Sequence, residues 1–138
     1  MAPKIFKSLA LVISSAFFFS LMSGFSFFQQ KPWPVPDKDK NMANPIKADA
    51  SSIAEGKTLW IKHCQSCHGK SGMGDGPKAA QLKTEAGDFS KAATQSQTDG
   101  SLFYKTVQGR DDMPAFKKKI PDADDIWNIV NYMRTFKK

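Results

Sequence analysis

The sequence predicts a small all-α domain, and three observations lead to this fold class. Apolar residues recur at spacings of three and four along several stretches, which is the period of an amphipathic helix. No long stretch alternates between apolar and polar residues, so we expect almost no β-strand. With 138 residues, the chain has room for one modest domain.

The first predicted helix begins at Ser52, where Glu55 three positions later completes a capping box. Its apolar positions then follow the helical period, and they are Ile53, Gly56, Trp60, Ile61 and Cys64. A glycine inside a helix costs about 1 kcal/mol relative to alanine. We therefore expect another helix to approach the first one closely at Gly56.

The last predicted helix is the expected partner of the first. Asp122 can cap its N-terminus, where acidic residues also favour the helix dipole. Its apolar stripe consists of Ile126, Ile129, Val130, Met133 and Phe136. Between the two, the sequence predicts a short helix over 77–83 and a longer one that starts at Thr98 or Asp99 and ends at Gly109.

Residues 64–68 read Cys-Gln-Ser-Cys-His, the C-x-x-C-H signature for attachment of a c-type haem. Two thiols at this spacing can form thioether bonds with one porphyrin, and the imidazole that follows is placed as the proximal iron ligand. Two other interpretations are a redox dithiol and a zinc site. The motif ends a helix rather than following a strand, which disfavours the dithiol. The adjacent His63 is poorly placed to complete a zinc tetrahedron.

Met113 is the predicted second axial ligand of the iron. It lies in a loop just after Gly109, between Asp112 and Pro114. Methionine often fills gaps in hydrophobic cores, but charged residues and a proline are poor neighbours for that role. Histidine and methionine form the ligand pair found in cytochromes c. The other methionines considered are less suitable by position: Met42, Met73 and Met133.

With these residues, the chain from 51 to 138 resembles the class I cytochromes c, in particular the small bacterial forms with one haem. The resemblance implies an all-α cytochrome c fold, in which three to four helices surround a covalently bound haem and the N- and C-terminal helices cross. It implies haem c attachment at Cys64 and Cys67 and iron ligation by His68 and Met113.

The resemblance also implies contacts around these residues. It matches Pro77 to the proline whose carbonyl accepts a hydrogen bond from the proximal imidazole. It matches Gly56 and Trp60 on the first helix to Ile129 and Tyr132 on the last. The chain departs from the family at 84–86, where Thr-Glu-Ala stands in place of the prolines that related sequences often have.

The N-terminus predicts a targeting segment. Lys4 and Lys7 precede an apolar run over 9–28, so residues 1–30 are interpreted as a signal peptide or an N-terminal membrane anchor. The positive-inside rule then places the remaining chain outside the cytoplasm. We expect the protein on the periplasmic side of the cytoplasmic membrane, anchored by residues 9–28 or released after cleavage.

Residues 31–50 form a proline-rich arm before the predicted domain at 51–138. Alternating prolines favour an extended path. The arm is either a stiff spacer or a segment docked on the domain through Trp33, Met42 or Ile46, because large aromatic residues tend towards burial.

The charge pattern bears on partners. The chain carries 20 Lys+Arg against 13 Asp+Glu, a formal charge of +7, but its lysines are scattered and no nucleic-acid motif is present. Six lysines lie near the haem motif and the Met113 loop: Lys62, Lys70, Lys78, Lys117, Lys118 and Lys119. They form either an ordinary solvated face or a basic rim that attracts redox partners with acidic docking surfaces.

These features predict an electron-transfer protein and not an enzyme, because an iron with both axial positions filled binds no small-molecule substrate. A second interpretation is a haem c subunit of a membrane oxidase or dehydrogenase complex. A third is a ligand-binding haem enzyme or sensor with an open iron site. That interpretation requires Met113 to be away from the iron, and no distal histidine or arginine is evident for it, although Arg110 is close to Met113 in sequence.

Overall fold

The computed structural model describes residues 32–138, a region that contains six α-helices and one 3-10 helix. The α-helices are α1 (Asp37–Lys40), α2 (Ala50–His63), α3 (Gln65–His68), α4 (Ala92–Gln95), α5 (Asp99–Gln108) and α6 (Ala123–Arg134). The 3-10 helix covers Ala79–Gln81. No β-strand occurs in this region, where one isolated bridge pairs Arg110 with Met113. The all-α prediction is confirmed.

α2 and α6 cross at Gly56, as the sequence predicted. A Cβ atom on Gly56 would overlap the backbone carbonyl of Asn128 and lie 2.9 Å from the Cβ of Tyr132. Trp60 on α2 and Ile129 on α6 have 0% exposure to solvent. The missing side chain at Gly56 therefore lets the two helices pack backbone against backbone.

The buried apolar residues form one cluster, which we call the core cluster. Its members are Trp60, Cys64, Phe89, Leu102, Phe116, Ile120, Ile126, Trp127, Ile129, Val130 and Met133. Residues from α2, α5, α6 and the loops between them all contribute. Ile61 was predicted on the inner face of α2, but it is 54% exposed, so that prediction is wrong. It lies directly after Trp60, which takes the inner position.

The start of α2 also differs from the prediction. Asp49 is the N-cap, and its carboxylate accepts a hydrogen bond of 3.0 Å from the backbone N–H of Ser52. The Ser52 side chain is buried and donates instead to the Asn128 side chain at 2.7 Å, while it accepts from Asn131 at 2.7 Å. Ser52 therefore joins α2 to α6 and is not available as a cap.

The later helix ends follow the prediction more closely. The Thr98 hydroxyl caps α5 by accepting from the backbone N–H of Ser101 at 3.2 Å, and the alternative cap, Asp99, pairs with Arg134 instead. Asp122 caps α6 by accepting from the N–H of Asp124 at 3.0 Å. The predicted helix over 77–83 is present only as the shorter 3-10 helix, and α4 was not predicted.

The arm packs on the domain along its described length. α1 interrupts the predicted extended path just after the prolines, and its last carbonyl, that of Lys40, accepts a hydrogen bond of 2.6 Å from Thr98. The Asn44 side chain donates to Asn131 at 2.8 Å, and Asn131 donates to the carbonyl of Ile46 at 3.1 Å. The docked interpretation therefore describes this arm, and the spacer interpretation does not.

The predicted leader, residues 1–30, lies outside the described residues. Among the helices of residues 32–138, none combines the length and apolar character that crossing a membrane requires.

Candidate haem site

The haem motif lies where α2 gives way to α3. The backbone N–H groups of Cys67 and His68 both donate to the carbonyl of Cys64, at 3.2 and 3.0 Å. This helical turn puts the three side chains on one face, because positions three and four apart are neighbours on a helix. Both cysteines are free thiols, Cys64 buried and Cys67 half-buried. Two thiols on one helical face suit thioether bonds to a single porphyrin.

The thiol chemistry distinguishes this motif from a redox dithiol. Burial raises the pKa of the Cys64 thiol to about 12, and the charge of Cys67 raises it further. Reactive dithiols need the opposite, a lowered pKa that supplies thiolate near neutral pH. The structure therefore disfavours the redox interpretation.

The zinc interpretation lacks its ligands in the region that the structure describes. No group of three or more His, Cys, Asp or Glu side chains there could hold a metal ion. The ring of His63 packs against Phe116 with 6.1 Å between ring centroids.

His68 packs in an aromatic environment. Its ring lies 5.6 Å from Trp60 and 5.2 Å from Phe89, measured between ring centroids. Burial lowers the pKa of His68, and a hydrogen bond with the backbone of Ala86 offsets part of this effect. The imidazole is therefore neutral at pH 7, and neutral imidazole is the form that binds metals. Its Nδ1 is buried without a hydrogen-bond partner. An unpaired buried nitrogen is costly, so the residue fits a role as a ligand to a group such as haem iron.

The predicted hydrogen bond between His68 and the carbonyl of Pro77 is not formed in this structure. The ring packs against Trp60 and Phe89, its Nδ1 has no partner, and Pro77 is exposed. The chain around Pro77 is nevertheless attached to the motif, because the N–H of Lys78 donates to the carbonyl of Ser66 at 2.8 Å.

Met113 lies at the end of a closed four-residue turn. Arg110 and Met113 exchange two backbone hydrogen bonds of 2.8 Å each, and Asp111 within the turn has a φ of 51°. Gly109 has a φ of 64°, and a Cβ there would lie 2.5 Å from the carbonyl oxygen of Met113. Glycine at 109 thus lets the chain leave α5 and fold back closely. The Met113 side chain is half-buried and packs against the core cluster, which includes Cys64.

Comparisons with known proteins identify the family of the chain. Residues 51–133, more than half of the chain, match the family described as "Cytochrome C oxidase, cbb3-type, subunit III". The chain belongs to this cytochrome c family. None of the curated protein sequences matches it.

One solved structure with a similar fold is a chain of the Kuenenia stuttgartiensis reducing HAO-like protein complex Kustc0457/Kustc0458. The TM-score is 0.60 and the identity 23%, and the match covers 82% of this cytochrome c and 54% of the Kuenenia chain. This cytochrome c therefore spans about half the length of that chain, and the similarity concerns the fold.

The family membership gives the cofactor, one covalently bound haem c with its iron, and Cys64 and Cys67 fit its attachment motif. The residues present fit this group, because the two thiols are free, they share a helical face with a neutral imidazole, and that imidazole has an unpaired buried nitrogen.

Asp112 supports the Met113 turn of this cytochrome c, a role that the sequence did not indicate. Its carboxylate accepts hydrogen bonds from the backbone N–H groups of Lys83 and Thr84, at 2.6 and 3.3 Å. Thr84 begins the stretch 84–86, where the resemblance to the class I cytochromes c led us to expect prolines. The structure thus shows how this loop is held: the backbone at Lys83 and Thr84 is bonded to Asp112, the residue before Met113.

A basic patch lies beside the attachment motif of this cytochrome c, formed by Lys62, His63 and Lys119. Burial lowers the pKa of His63, and the positive charges of Lys62 and Lys119 lower it further. Lys119 Nζ also lies 5.7 Å from the ring centroid of Phe116, the ring that His63 contacts. Two lysines far apart in sequence thus share one exposed face next to Cys64.

Proposed function

We propose that this cytochrome c carries single electrons between protein partners and uses His68 and Met113 as the axial ligands of its iron. Bound haem supplies the one-electron chemistry, and a methionine ligand with haem burial favours the reduced state. With both axial positions filled, the chain acts as a carrier rather than as an enzyme. The observation that carries this proposal is the closed Met113 turn, whose half-buried side chain packs against the core cluster that contains Cys64.

The positions of the other described methionines support the choice of Met113. Met42 and Met73 are 39% and 41% exposed, and Met73 Sδ lies 3.8 Å from Lys138 Nζ. Met133 is 3% exposed and belongs to the interior stripe of α6. Among the methionines of residues 32–138, Met113 therefore combines partial burial with a loop position.

Optical spectra of the purified protein test this ligation. We expect sharp low-spin bands, a methionine-sulfur charge-transfer band in the oxidised form, and no response of the reduced form to carbon monoxide. Met113→Ala should lose the charge-transfer band, whereas the exposed control Met73→Ala should keep it. A high-spin spectrum with rapid carbon monoxide binding in the wild type would refute the closed iron site and favour an enzyme or sensor.

The open-site alternative has little support around Met113. Arg110, which is close to Met113 in sequence, has its guanidinium 4.5 Å from the ring centroid of Trp33, and its Nε lies 3.4 Å from the carboxylate of Asp111. These contacts direct the guanidinium to the arm and to the turn itself.

We further propose that the basic patch faces partners with acidic docking surfaces. Lys62 and Lys119 place two positive charges beside the attachment motif, where charge attraction accelerates encounter at low ionic strength. Small redox reagents of known charge test this placement. Lys62→Glu/Lys119→Glu should slow oxidation by anionic ferricyanide and accelerate oxidation by a cationic cobalt complex, and both changes should shrink with added salt. Equal oxidation rates for the wild type and the variant would mean that Lys62 and Lys119 belong to an ordinary solvated face, and would refute this proposal.

A second candidate function is a haem c subunit of a membrane oxidase or dehydrogenase complex on the periplasmic side of the membrane. The matched family is described as subunit III of an oxidase, and the structurally similar Kuenenia chain comes from a complex. The leader predicted at 1–30 would export the chain and could anchor it. Purification from membranes in a mild detergent distinguishes the candidates: stable co-elution with integral membrane subunits favours the complex, and elution alone favours the carrier.

A further inference from the structure

The arm contacts the turn that carries Met113. The carbonyl oxygen of Pro32 accepts a hydrogen bond of 2.9 Å from Arg110 Nη1. The guanidinium of Arg110 also lies over the indole of Trp33, 4.5 Å from the ring centroid. Arg110 in turn makes the two backbone hydrogen bonds that close the turn on Met113. A continuous set of contacts therefore runs from the arm to the proposed axial ligand.

Trp33 faces a second cation besides Arg110. Lys105 Nζ lies 5.5 Å from the same ring centroid, and burial together with the charge of Arg110 lowers the pKa of Lys105. The two cations repel each other, and the electron-rich face of an indole attracts both. Loss of the indole would remove an attraction that offsets this repulsion and would favour movement of Arg110 away from α5, while the ion pair of Arg110 with Asp111 at 3.4 Å would remain.

The arm has other attachments that do not involve Trp33. Thr98 bonds to the carbonyl of Lys40, and Asn131 bonds to both Asn44 and Ile46. The arm should therefore stay docked when Trp33 is replaced. This separation makes the contribution of the Trp33–Arg110 contact measurable.

We propose that Trp33 is a positioning residue for the iron: its contact with Arg110 holds the 110–113 turn closed and so keeps the Met113 thioether in place. The proposal rests on the proposed ligation by Met113. It assigns the N-terminal arm a role in the stability of the axial bond in addition to its packing on the domain.

Competition with an external ligand measures this effect. Imidazole can bind the ferric iron only after Met113 has left, so its apparent affinity is scaled by the fraction of open molecules. In the full-length haem-loaded protein, Trp33→Ala should raise the apparent imidazole affinity about fivefold to tenfold, in line with the loss of a cation–π contact. Trp33→Phe keeps a weaker ring face and should show a smaller increase.

Two further variants identify the contact responsible. Arg110→Gln should raise imidazole affinity at least as much as Trp33→Ala does, because it also removes the contacts with Pro32 and Asp111. The double variant should add little beyond Arg110→Gln alone, since the indole acts through the guanidinium. Asn44→Ala is the matched control, because it removes an arm contact remote from the turn, and it should change imidazole affinity less than about twofold.

The outcomes separate the two proposals. If wild-type protein lacks the methionine-sulfur band, ligation by Met113 itself fails. If that band is present but Trp33→Ala leaves imidazole affinity unchanged, the positioning role of Trp33 is wrong. An equal increase in Asn44→Ala would also refute it, because general loosening of the arm would then account for the effect.

Discussion

Replacement of Gly56 by alanine sets two opposing effects against each other. In an ordinary helix, the change from glycine to alanine stabilises by about 1 kcal/mol. Here the added Cβ would overlap the carbonyl oxygen of Asn128 and lie 2.9 Å from the Cβ of Tyr132. One of these neighbours is backbone and the other is the first atom of a side chain, so neither can rotate away. α2 and α6 must therefore move apart.

The size of the change in the free energy of unfolding depends on the packing between α2 and α6 that this movement disturbs. Overpacking of a well-packed interior costs typically about 1–3 kcal/mol and occasionally more. This site lies at the upper end of that range, because the helices that separate are those that bury Trp60 and Ile129 completely. With about 3 kcal/mol lost to overpacking and about 1 kcal/mol gained from helix propensity, the net destabilisation is about 2 kcal/mol. For a domain near 100 residues, that lowers Tm by about 8–16 °C.

Guanidinium unfolding of the haem-loaded protein, followed by far-ultraviolet circular dichroism, measures this quantity. Gly56→Ala should lower the midpoint without changing the slope of the transition. Glu55→Ala, an exposed change on the same helix, should stay within about 0.5 kcal/mol of the wild type. If Gly56→Ala is as stable as the wild type or more stable, helix propensity outweighs the contact and the reasoning about the crossing is refuted.

Three further predictions concern single side chains. Asp112→Ala removes the acceptor for two backbone N–H groups and should lower the free energy of unfolding by about 1 kcal/mol, with faster amide exchange at 83–84; unchanged exchange would contradict it. Asp49→Ala removes the observed cap of α2 and should cost about 1 kcal/mol in thermal unfolding, a loss that would not occur if Ser52 were the cap. Lys119→Ala removes a charge that lowers the pKa of His63, so the pKa of His63 should rise towards 6.5 in an NMR titration of the reduced protein. An unchanged pKa would mean that Lys119 does not lie close to His63.

The helices were predictable where burial imposes a period on the sequence. The stripes of α2 and α6 and the glycine at their crossing could be identified because close packing restricts each position to a few residue types. α4 could not, since its four residues include no buried side chain and so carry no periodic signal. Trp127 was also missed, although it is 3% exposed and stacks on Phe103 at 4.0 Å. It widens the buried face of α6 beyond the narrow stripe that was inferred.

The site was predictable to the extent that its chemistry is local. Cys64, Cys67 and His68 are adjacent in sequence, so one turn of helix determines their arrangement. The contacts that hold the Met113 turn come from segments distant in sequence. Lys83 bonds to the Asp112 carboxylate of the turn, and Trp33 contacts Arg110. Such contacts depend on how loops return to the domain, and neither hydrophobic period nor residue spacing records that path.

The crossing of α2 and α6 has a consequence for biosynthesis. It joins the two ends of the domain, since the hydrogen bond from Ser52 to Asn128 links residues 76 positions apart. A chain is made from its N-terminus, so the crossing cannot form until α6 has been synthesised. In this structure, Cys64 is 7% exposed and its free thiol has a pKa of about 12, far from the reactive thiolate. Because closure buries Cys64, we expect haem attachment to precede the closing of the crossing.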